Sequence, residues 1–287
     1  MKTVKQVSAD FSEQLSTIYE ANEVNSLCMI VLENVVNISS AKIKAFPETG
    51  ISTPDSERIT NILTRLATGE PIQYILGYTE FYGLTFNVNP SVLIPRPETE
   101  ELVDWILSSV RSSELAVGKF LDIGTGSGCI PISLKKNLPE AEVSAIDISP
   151  EALQTAKENA ELNKVNINFI ENDILNPTNH SLLTTHYSLI VSNPPYVTLE
   201  DKKLMHTNVT DFEPHTALFV PEDDPLIFYK AIADFASTHL EKDGLLFFEI
   251  NESYGKQIVN LLNSRLFINI ELRKDMSGKD RMIRATK

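Results

Sequence analysis

The stretch that decides the fold is Leu121-Asp122-Ile123-Gly124-Thr125-Gly126-Ser127-Gly128. A short apolar run leads into three closely spaced glycines, and a helical pattern begins directly after them. A glycine-rich loop between a strand and a helix allows the backbone to approach a bound nucleotide closely. Glycines also serve as simple turn residues, so the loop by itself leaves a purely structural role open. Its position predicts an α/β sheet with a nucleotide site at the loop.

The spacing of the glycines favours one kind of cofactor over another. In a dinucleotide fingerprint the third glycine would fall at Cys129, whereas here it falls at Gly128, which argues against NAD. Asp147 closes the next predicted strand about 20 residues further on, where an acidic side chain accepts both hydroxyls of a ribose. A helix cap ahead of Ser149 is the other role open to Asp147, and both roles are compatible.

Beyond the loop, short apolar segments alternate with amphipathic ones, which is typical of a doubly wound, mostly parallel sheet. Two apolar stretches near the end flank the turn residues Ser277-Gly278-Lys279-Asp280. We therefore expect the sheet to finish with an antiparallel pair. The predicted strands are 119–123, 142–147, 166–171, 187–192 and 244–250, and the predicted helices are 129–138, 150–163, 224–241 and 253–264.

Two residues that follow the third predicted strand are candidates for an adenine site. Asp173 and Ile174 fall at the carboxyl edge of the sheet. The carboxylate would accept the hydrogens of the adenine amino group, and the aliphatic side chain would pack on the ring. A polar residue at the end of a strand is common in any fold, so this assignment depends on the glycine loop beside it.

The chain ahead of the sheet has two further parts. From Lys2 to about Gly69 apolar residues recur at helical spacing, which predicts several short helices. From there to Pro95, β-forming residues such as Tyr74 surround Gly83, which predicts a hairpin. We expect three regions in all: a small all-helical docking domain over residues 1–72, a β-hairpin linker over 73–95, and the sheet domain over 96–287.

A second motif follows the fourth predicted strand and reads Ser192-Asn193-Pro194-Pro195-Tyr196. Each proline restricts the residue before it to extended conformations, so Asn193 and Pro194 are held stiffly. The side-chain carbonyl of Asn193 and the main-chain carbonyl of Pro194 then form two hydrogen-bond acceptors at fixed separation. Tyr196 adds a flat face for a planar group. A proline pair also ends strands without any further role, and that reading stays open for the motif alone.

Two converging acceptors suit a nitrogen that carries two donor hydrogens, as in an amide or an aromatic amine. A carboxylate or a thiolate would be repelled. An amide nitrogen is a poor nucleophile because its lone pair is delocalised, and holding both hydrogens lets it pyramidalise while the acceptors stabilise the developing positive charge. We therefore expect transfer of a group to a planar NH2 nitrogen, with Asn193, Pro194 and Tyr196 as the catalytic residues.

The composition limits the partners. The 287 residues include 25 basic and 39 acidic side chains, and a net charge of −14 repels a phosphate backbone, so we expect no DNA partner. No apolar run approaches the ~20 residues that span a bilayer, and no signal peptide is recognisable. We expect a monomeric cytoplasmic protein without membrane contact. The five histidines and two cysteines lack metal-ligand spacing, so we expect no metal centre.

Taken together, these segments resemble the protein-glutamine methyltransferases that modify peptide-chain release factors. The resemblance spans nearly the whole chain and implies a class I S-adenosylmethionine-dependent methyltransferase with a seven-stranded, mostly parallel sheet. It also implies S-adenosylmethionine as cofactor, a release factor as partner, and methylation of the glutamine in a Gly-Gly-Gln motif. The motifs that carry it are 94–100, 122–128, 193–196, 212–214 and 277–281.

The resemblance assigns roles position by position. Glu98 or Glu100 would line the cofactor mouth, with ordinary helix-start chemistry as the alternative. Two departures from the family pattern are Ile174, which is often aromatic in relatives, and 221–225, which replaces a glycine-containing turn. The cofactor contacts would be Gly124, Thr125, Gly126, Ser127, Gly128, Asp147, Ile174 and Asn193, with Asp173 beside them, and the substrate contacts would be Asn193, Pro194, Pro195 and Tyr196.

Three alternatives stay open from the sequence. A relative that methylates a glutamine of a ribosomal protein would show nearly the same pattern. An adenine-amino methyltransferase would hold a flipped base in the same turn, although the net charge disfavours it. A nucleotide-binding scaffold without chemistry is disfavoured by the intact turn at 193–196.

Overall fold

The computed structural model describes residues 2–111, 114–203, 205 and 207–287. The chain forms two compact units. The helical unit comprises Met1–Leu76 together with Thr207–Phe212, and the sheet unit comprises Gly77–His206 together with Glu213–Lys287.

The helices are α1 Val4–Leu15, α2 Ala21–Val36, α3 Ser40–Ala45, α4 Thr53–Leu66, α5 Ile72–Leu76, α6 Pro97–Val110, α7 Cys129–Asn137, α8 Pro150–Leu162, α9 His180–Thr184, α10 Leu199–Lys202, α11 Thr207–Phe212, α12 His215–Leu218, α13 Ile227–His239 and α14 Gly255–Ser264. The strands are β1 Tyr78–Phe81, β2 Leu84–Asn87, β3 Lys119–Ile123, β4 Glu142–Asp147, β5 Asn168–Glu171, β6 Tyr187–Ser192, β7 Leu240–Glu249, β8 Ile268–Lys274 and β9 Asp280–Thr286. Within the described ranges, no helix is long and apolar enough to cross a membrane. The same residues contain no group of three or more His, Cys, Asp or Glu side chains placed to hold a metal ion, and His206 lies outside them.

The longer helices of the helical unit begin at residues suited to that position. Thr3 and Gln6 form a capping box at the start of α1. The Ser52 hydroxyl accepts the N–H of Asp55 at the start of α4. The apolar faces of these helices meet in one core, in which Phe11 is fully buried. The short helix α11 belongs to this unit although it lies far along the chain from the other helices.

The hairpin occupies a shorter stretch than its β-forming residues indicate. β1 and β2 pair antiparallel around Tyr82 and Gly83, which both have positive φ, at 50° and 71°. This left-handed pair matches the twist of a two-residue hairpin turn and explains the glycine. Tyr74, by contrast, is not in a strand but in α5, where its N–H donates to the carbonyl of Pro71. Pro71 starts a helical turn, and this local geometry outweighs the β propensity of the aromatic side chain.

The sheet unit confirms the predicted seven-stranded, mostly parallel sheet. The strand order is β5-β4-β3-β6-β7-β9-β8, with β9 antiparallel to both β7 and β8. The antiparallel finish around the turn at 277–280 is therefore confirmed. β7 begins at Leu240, earlier than predicted, and the helix before it begins at Ile227 rather than 224. Pro225 accounts for the late start of that helix, because proline disfavours a helical conformation in the residue before it.

The two faces of the sheet are covered by different apolar clusters. Phe247 points into the cluster of α6, where its ring lies 5.4 Å from that of Trp105. Its neighbour Phe248 points to the opposite face, where its ring lies 5.3 Å from that of Tyr229 on α13. Successive residues of a strand face opposite sides, so an unbroken apolar run serves a sheet buried on both faces.

Candidate active site

A cleft of about 360 Å³ opens where the carboxyl ends of β3, β4, β5 and β6 meet. This volume lies within the range of small-ligand pockets. β3 and β6 are neighbours at the point where the strand order reverses, which is where doubly wound sheets bind ligands. Among the predicted site residues, those lining the cleft are Gly124, Thr125, Gly126, Ser127, Asp147, Asp173, Ile174, Asn193, Pro194 and Pro195, whereas Gly128 and Tyr196 are not in its lining.

The glycine loop is tied to the end of β4. The N–H groups of Gly124 and Thr125 donate to the carbonyl of Ile146 at 2.9 and 3.0 Å. Gly124 and Gly126 have φ of 75° and 53°, and a Cβ on either would meet no atom within 4 Å. Glycine at these positions therefore allows a left-handed backbone and leaves open space for a ligand to approach.

Gly128 has different surroundings. Its φ is 80°, and a Cβ there would lie 3.0 Å from Ile132 and 3.1 Å from Ala156. Glycine is thus required for the close approach of α7 to α8. The cofactor contact expected at Gly128 stays a prediction, and the role that its surroundings support is packing.

Asp147 is held between two main-chain donors. Its carboxylate accepts the N–H of Gly126 at 2.8 Å and the N–H of Ser149 at 3.0 Å. Burial raises the pKa of Asp147, and these hydrogen bonds oppose the rise. The cap of the following helix comes from Ser149, whose hydroxyl accepts the N–H of Ala152 at 3.1 Å. Asp147 therefore braces the glycine loop at the wall of the cleft, where it is placed for contact with a ribose.

The side-chain nitrogen of Asn172, a residue of the cleft lining, is buried and has no hydrogen-bond partner in the described part of the chain. Buried polar atoms are almost always paired in folded proteins. An unpaired donor in the lining fits a ligand that carries acceptors, such as the hydroxyls and ring nitrogens of S-adenosylmethionine. Behind the lining, burial raises the pKa of Asp122 to about 7, a hydrogen bond with the Thr125 hydroxyl opposes the rise, and the charge of Asp147 adds to it.

The predicted adenine end of the cleft is more extensive than the sequence indicated. Ile174 is buried in the lining, and the Asp173 carboxylate accepts the N–H of Leu175 at 2.9 Å. Ile148 and Leu175 also line the cleft and are 60% and 43% exposed. Large apolar side chains that stay exposed beside a cleft suit the face of a flat ring. Sequence reasoning missed both residues, although an isoleucine directly after the strand-ending acid was the available signal.

We call residues Asn193–Tyr196 the acceptor turn. It follows the end of β6, where the Ser192 hydroxyl donates to the carbonyl of Ile123 at 2.6 Å. The next side chain, Asn193, donates from Nδ2 to the Thr99 hydroxyl at 3.4 Å. Because the nitrogen of this amide is engaged by Thr99, its oxygen is the branch that serves as an acceptor elsewhere. Asn193 and Pro194 both line the cleft together with the glycine loop.

Tyr196 is anchored at both its hydroxyl and its main chain. The hydroxyl donates to the Glu249 carboxylate at 3.1 Å, and the main-chain carbonyl accepts from the side-chain nitrogen of Asn251 at 3.1 Å. Burial raises the pKa of Tyr196 far above its ordinary value, and the negative charge of Glu249 adds to the rise. Tyr196 is therefore a neutral donor with a fixed ring rather than a base.

Thr99 and Glu249 are the residues of this site that sequence reasoning missed. The Thr99 hydroxyl donates to the Glu249 carboxylate at 2.7 Å, and both residues are 2% exposed. The sequence offered a faint signal, since Glu249 is the one acidic residue within the apolar run 245–250. A buried carboxylate needs partners, but nothing in the sequence names Thr99 as one of them.

Two acidic motifs near the cleft have structural partners. Glu100 accepts the N–H of Tyr82 at 2.7 Å, which ties α6 to the hairpin. Glu98 adds negative charge around Tyr196. Neither glutamate lines the cleft. The buried Glu213 forms an ion pair with Arg96, which does line it, and this pair accounts for the motif at 212–214.

The departure from the family pattern at 221–225 lies beside the acceptor turn. Val197 donates its N–H to Leu218 at 2.9 Å, and its carbonyl accepts the N–H of Val220 at 3.0 Å. Phe219, between these two residues, lines the cleft. These main-chain hydrogen bonds end at Val220, one residue before the altered turn at 221–225 begins. The hydrogen bonds that support the acceptor turn are therefore kept.

Comparison with known proteins gives a consistent answer. Residues 6–77 match the model of the PrmC N-terminal domain, and residues 104–211 match that of the Methyltransferase small domain. A release factor glutamine methyltransferase of Flavobacterium psychrophilum is 46% identical over 98% of this chain and 98% of its own. A protein of the same name from Bacteroides thetaiotaomicron is 42% identical over 99% of this chain and 100% of its own.

Among solved structures, a T. thermophilus 16S rRNA N2 G1207 methyltransferase in complex with AdoMet and guanosine superposes with a TM-score of 0.53. It is 18% identical and covers 73% of this chain and 49% of its own, so the likeness concerns the fold.

With this sheet, this cleft and these relatives, the chain is a class I S-adenosylmethionine-dependent methyltransferase. Identity above 40% over nearly the whole length goes well beyond a shared fold. The chain belongs to the release factor glutamine methyltransferase family. The resemblance drawn from the sequence is therefore confirmed for the family, the fold class and the methyl donor.

Proposed function

We propose that this chain methylates the side-chain amide nitrogen of the glutamine in the Gly-Gly-Gln motif of a peptide-chain release factor. The observation that carries the proposal is that Asn193 and Pro194 line the same cleft as Gly126 and Asp147. A rigid pair of acceptors thus lies beside the nucleotide site formed by the glycine loop and Asp147, which we call the cradle. The names of the relatives, release factor glutamine methyltransferase, support the same substrate.

The residues of the turn would activate a poor nucleophile. S-Adenosylmethionine supplies a methyl group made electrophilic by its sulfonium. The Asn193 side-chain oxygen and the Pro194 carbonyl accept the two hydrogens of the substrate amide, so its nitrogen lone pair leaves conjugation with the carbonyl. Tyr196 and Pro195 confine the amide plane, and alignment of this kind is worth on the order of 7–11 kcal/mol in favourable cases. The methylated nitrogen is strongly acidic and loses its proton to water, so the protein needs no strong base.

The proposal assigns the cradle to S-adenosylmethionine. Asp147 would accept the ribose hydroxyls, and Asp173 and Ile174 would meet the adenine, with Ile148 on its other side. Support comes from the lining of the cleft and from the unpaired side-chain nitrogen of Asn172. The further contacts would be Gly124, Gly126, Ser127 and Asn193, with Gly128 shaping the loop.

The roles of the domains and the partner follow from the proposed substrate. We assign the helical domain, residues 1–72, to docking of the release factor, with residues 73–95 as its connection to the sheet domain at 96–287. A net charge of −14 disfavours DNA as a partner. We place the enzyme in the cytoplasm, where release factors act, as a monomer without membrane contact.

The test is a methylation assay with labelled S-adenosylmethionine and separate samples of a release factor, ribosomal proteins and duplex DNA. Mass mapping should locate the label on the glutamine of the Gly-Gly-Gln motif. A release factor with Gln→Glu at that position is the matched control and should take no label. Label on a ribosomal protein or on DNA, with none on the release factor, would overturn the proposed substrate.

A further inference from the structure

A buried carboxylate, that of Glu249, lies behind the acceptor turn and is not itself part of the cleft lining, although it contacts the lining residue Thr99. Glu249 ends β7 and each of its oxygens accepts one hydroxyl, from Thr99 at 2.7 Å and from Tyr196 at 3.1 Å. A third hydroxyl, that of Tyr229, donates to the Glu249 main-chain carbonyl at 3.2 Å. Three contacts on one residue hold this strand end in place.

The carboxylate dictates the direction of the hydrogen bonds around it. An ionised carboxylate only accepts, so the Thr99 hydroxyl must direct its single hydrogen to Glu249. The hydroxyl oxygen then offers only lone pairs to its other neighbour, Asn193. Asn193 can therefore bond to this oxygen only by donating from its NH2 group, and its Nδ2 does donate to the Thr99 hydroxyl oxygen at 3.4 Å.

The two branches of an asparagine amide have nearly the same shape, so packing alone does not choose between them. The choice matters for chemistry, because only the oxygen branch accepts a hydrogen from a substrate NH2 group. A flipped Asn193 would set its own NH2 against that of the substrate, leaving donors facing donors. A hydrogen-bond partner other than the substrate therefore has to select the orientation of the Asn193 amide.

We propose that Glu249 is a positioning residue that sets the orientation of the Asn193 amide through the Thr99 hydroxyl, so that the Asn193 oxygen faces the substrate nitrogen. The inference rests on the proposed function of the turn, and it identifies Thr99 and Glu249 as the residues that orient the Asn193 amide. Burial raises the pKa of Glu249, and the hydrogen bonds from Thr99 and Tyr196 together with the charge of Arg281 oppose the rise by favouring the ionised carboxylate. The other oxygen of Glu249 accepts the Tyr196 hydroxyl at 3.1 Å and so fixes the last residue of the same turn.

The test compares variants at Thr99 and Glu249 with the full-length enzyme and a release factor substrate. Thr99→Val is nearly isosteric but removes the hydroxyl, and Thr99→Ser keeps it. Glu249→Gln replaces an obligate acceptor with a group that also donates. Loss of one preorganised hydrogen bond to a transition state typically lowers kcat by about 10²–10³-fold, and a misoriented fraction of Asn193 should lower it by about 10–100-fold in Thr99→Val and Glu249→Gln.

Two further readouts separate positioning from damage to the fold. Calorimetric affinity for S-adenosylhomocysteine should fall by much less than kcat in each variant, since neither Thr99 nor Glu249 is assigned a cofactor contact. Thr99→Ser should retain most of the wild-type kcat. In an Asn193→Ala background, Thr99→Val should lower kcat no further, because a residue that acts through Asn193 has nothing left to orient.

The outcomes are distinct. If Thr99→Val and Glu249→Gln keep the wild-type kcat, or if Thr99→Val lowers kcat as much in the Asn193→Ala background as in the wild type, the inference is overturned. If Glu249→Gln does not fold, the Thr99 pair still decides the question. An inactive wild-type enzyme with release factor would instead contradict the proposed function, so the two failures cannot be confused.

Discussion

The two halves of the cleft are built in different ways. The cradle of Gly124 to Asp147 is made mainly from main-chain groups, and its ties run between neighbouring strands. The acceptor turn is made from side chains, and the hydrogen bonds that orient it join Asn193 to Thr99 and Tyr196 to Glu249. The cradle is therefore defined by local backbone conformation, whereas the turn depends on residues brought together only by the finished fold.

This difference implies that binding and chemistry are separable. Changes in the cradle should act on cofactor affinity and on folding, and changes in the turn should act on turnover. The separation is expected because interactions with no shared partners contribute nearly independently to the free energy. Four experiments test it, beginning with the one that has the largest expected effect.

Asn193→Ala removes the side-chain acceptor from the turn but keeps the glycine loop and Asp147. We expect kcat to fall by about 10²–10³-fold, because a preorganised group that stabilises the developing charge is lost. Asn193 is also a proposed cofactor contact, so affinity for S-adenosylhomocysteine should weaken as well, but by less than kcat falls. Single-turnover kinetics and calorimetry measure the two quantities. Normal turnover in this variant would show that the substrate amide is held elsewhere, and equal losses in both quantities would show that the halves are not separable.

The second experiment measures how the protonation of Asp122, on the strand that leads into the cradle, affects the stability of the protein. Burial raises the pKa of Asp122 to about 7 in the folded protein, from the ordinary aspartate value of 3.8. Because the folded state binds the proton more tightly, this group makes the ligand-free protein less stable as pH rises from about 4 to about 7, by up to ~4 kcal/mol. Asp122→Asn should lack this contribution, so urea unfolding should find the variant more stable than wild type above pH 7.

The comparison for Asp122 is the difference between the two proteins across pH 4 to 8, since other groups titrate in both. The variant's advantage should grow with pH until about pH 7 and then level off. A constant difference over that range would show that the carboxyl titrates normally despite its burial.

The contrast between the halves also explains how far the sequence could be read. The strand, loop and helix around the glycine motif, the place of Asp147 at the end of a strand and the parallel character of the sheet follow from local spacing, and the structure confirms them. The partnership of Thr99 and Glu249 was not, because it depends on where α6 crosses the end of β7, and no periodicity records that crossing. Local geometry likewise placed Tyr74 in a helix against its β propensity. The roles assigned to individual site residues stay predictions until the experiments are done.

Asp147→Asn tests whether the brace of the loop is also a ligand contact. An asparagine has one acceptor oxygen, so it cannot accept from Gly126 and Ser149 and also keep two acceptors for a ribose. We expect the Kd for S-adenosylhomocysteine to rise by about 10–100-fold, in line with the loss of charge-assisted hydrogen bonds. At saturating cofactor, kcat should change by less than about threefold.

The matched control for Asp147 is Ser149→Ala, which removes the hydroxyl cap of α8. Ser149 also lines the cleft, but Ser149→Ala keeps the main-chain N–H that binds Asp147. That variant should lose about 1 kcal/mol of stability and lose much less cofactor affinity than Asp147→Asn. Equally weakened cofactor binding in both variants would mean that Asp147 acts only by supporting the start of the helix.

The smallest expected effect sharpens the comparison within the cradle itself. Gly124 and Gly128 share a left-handed backbone, with φ of 75° and 80°, so alanine at either position costs about 1–2 kcal/mol of strain. At Gly128 the new methyl also meets Ile132 and Ala156 at 3.0 and 3.1 Å, whereas at Gly124 it meets open space. Gly128→Ala should therefore be less stable than Gly124→Ala by about 1 kcal/mol in urea unfolding. Cofactor affinity should show the reverse order, because the methyl at Gly124 projects into space left for the ligand. If one variant were worse in both measurements, packing and binding would not be divided between the two glycines, and the cradle would respond as a single unit.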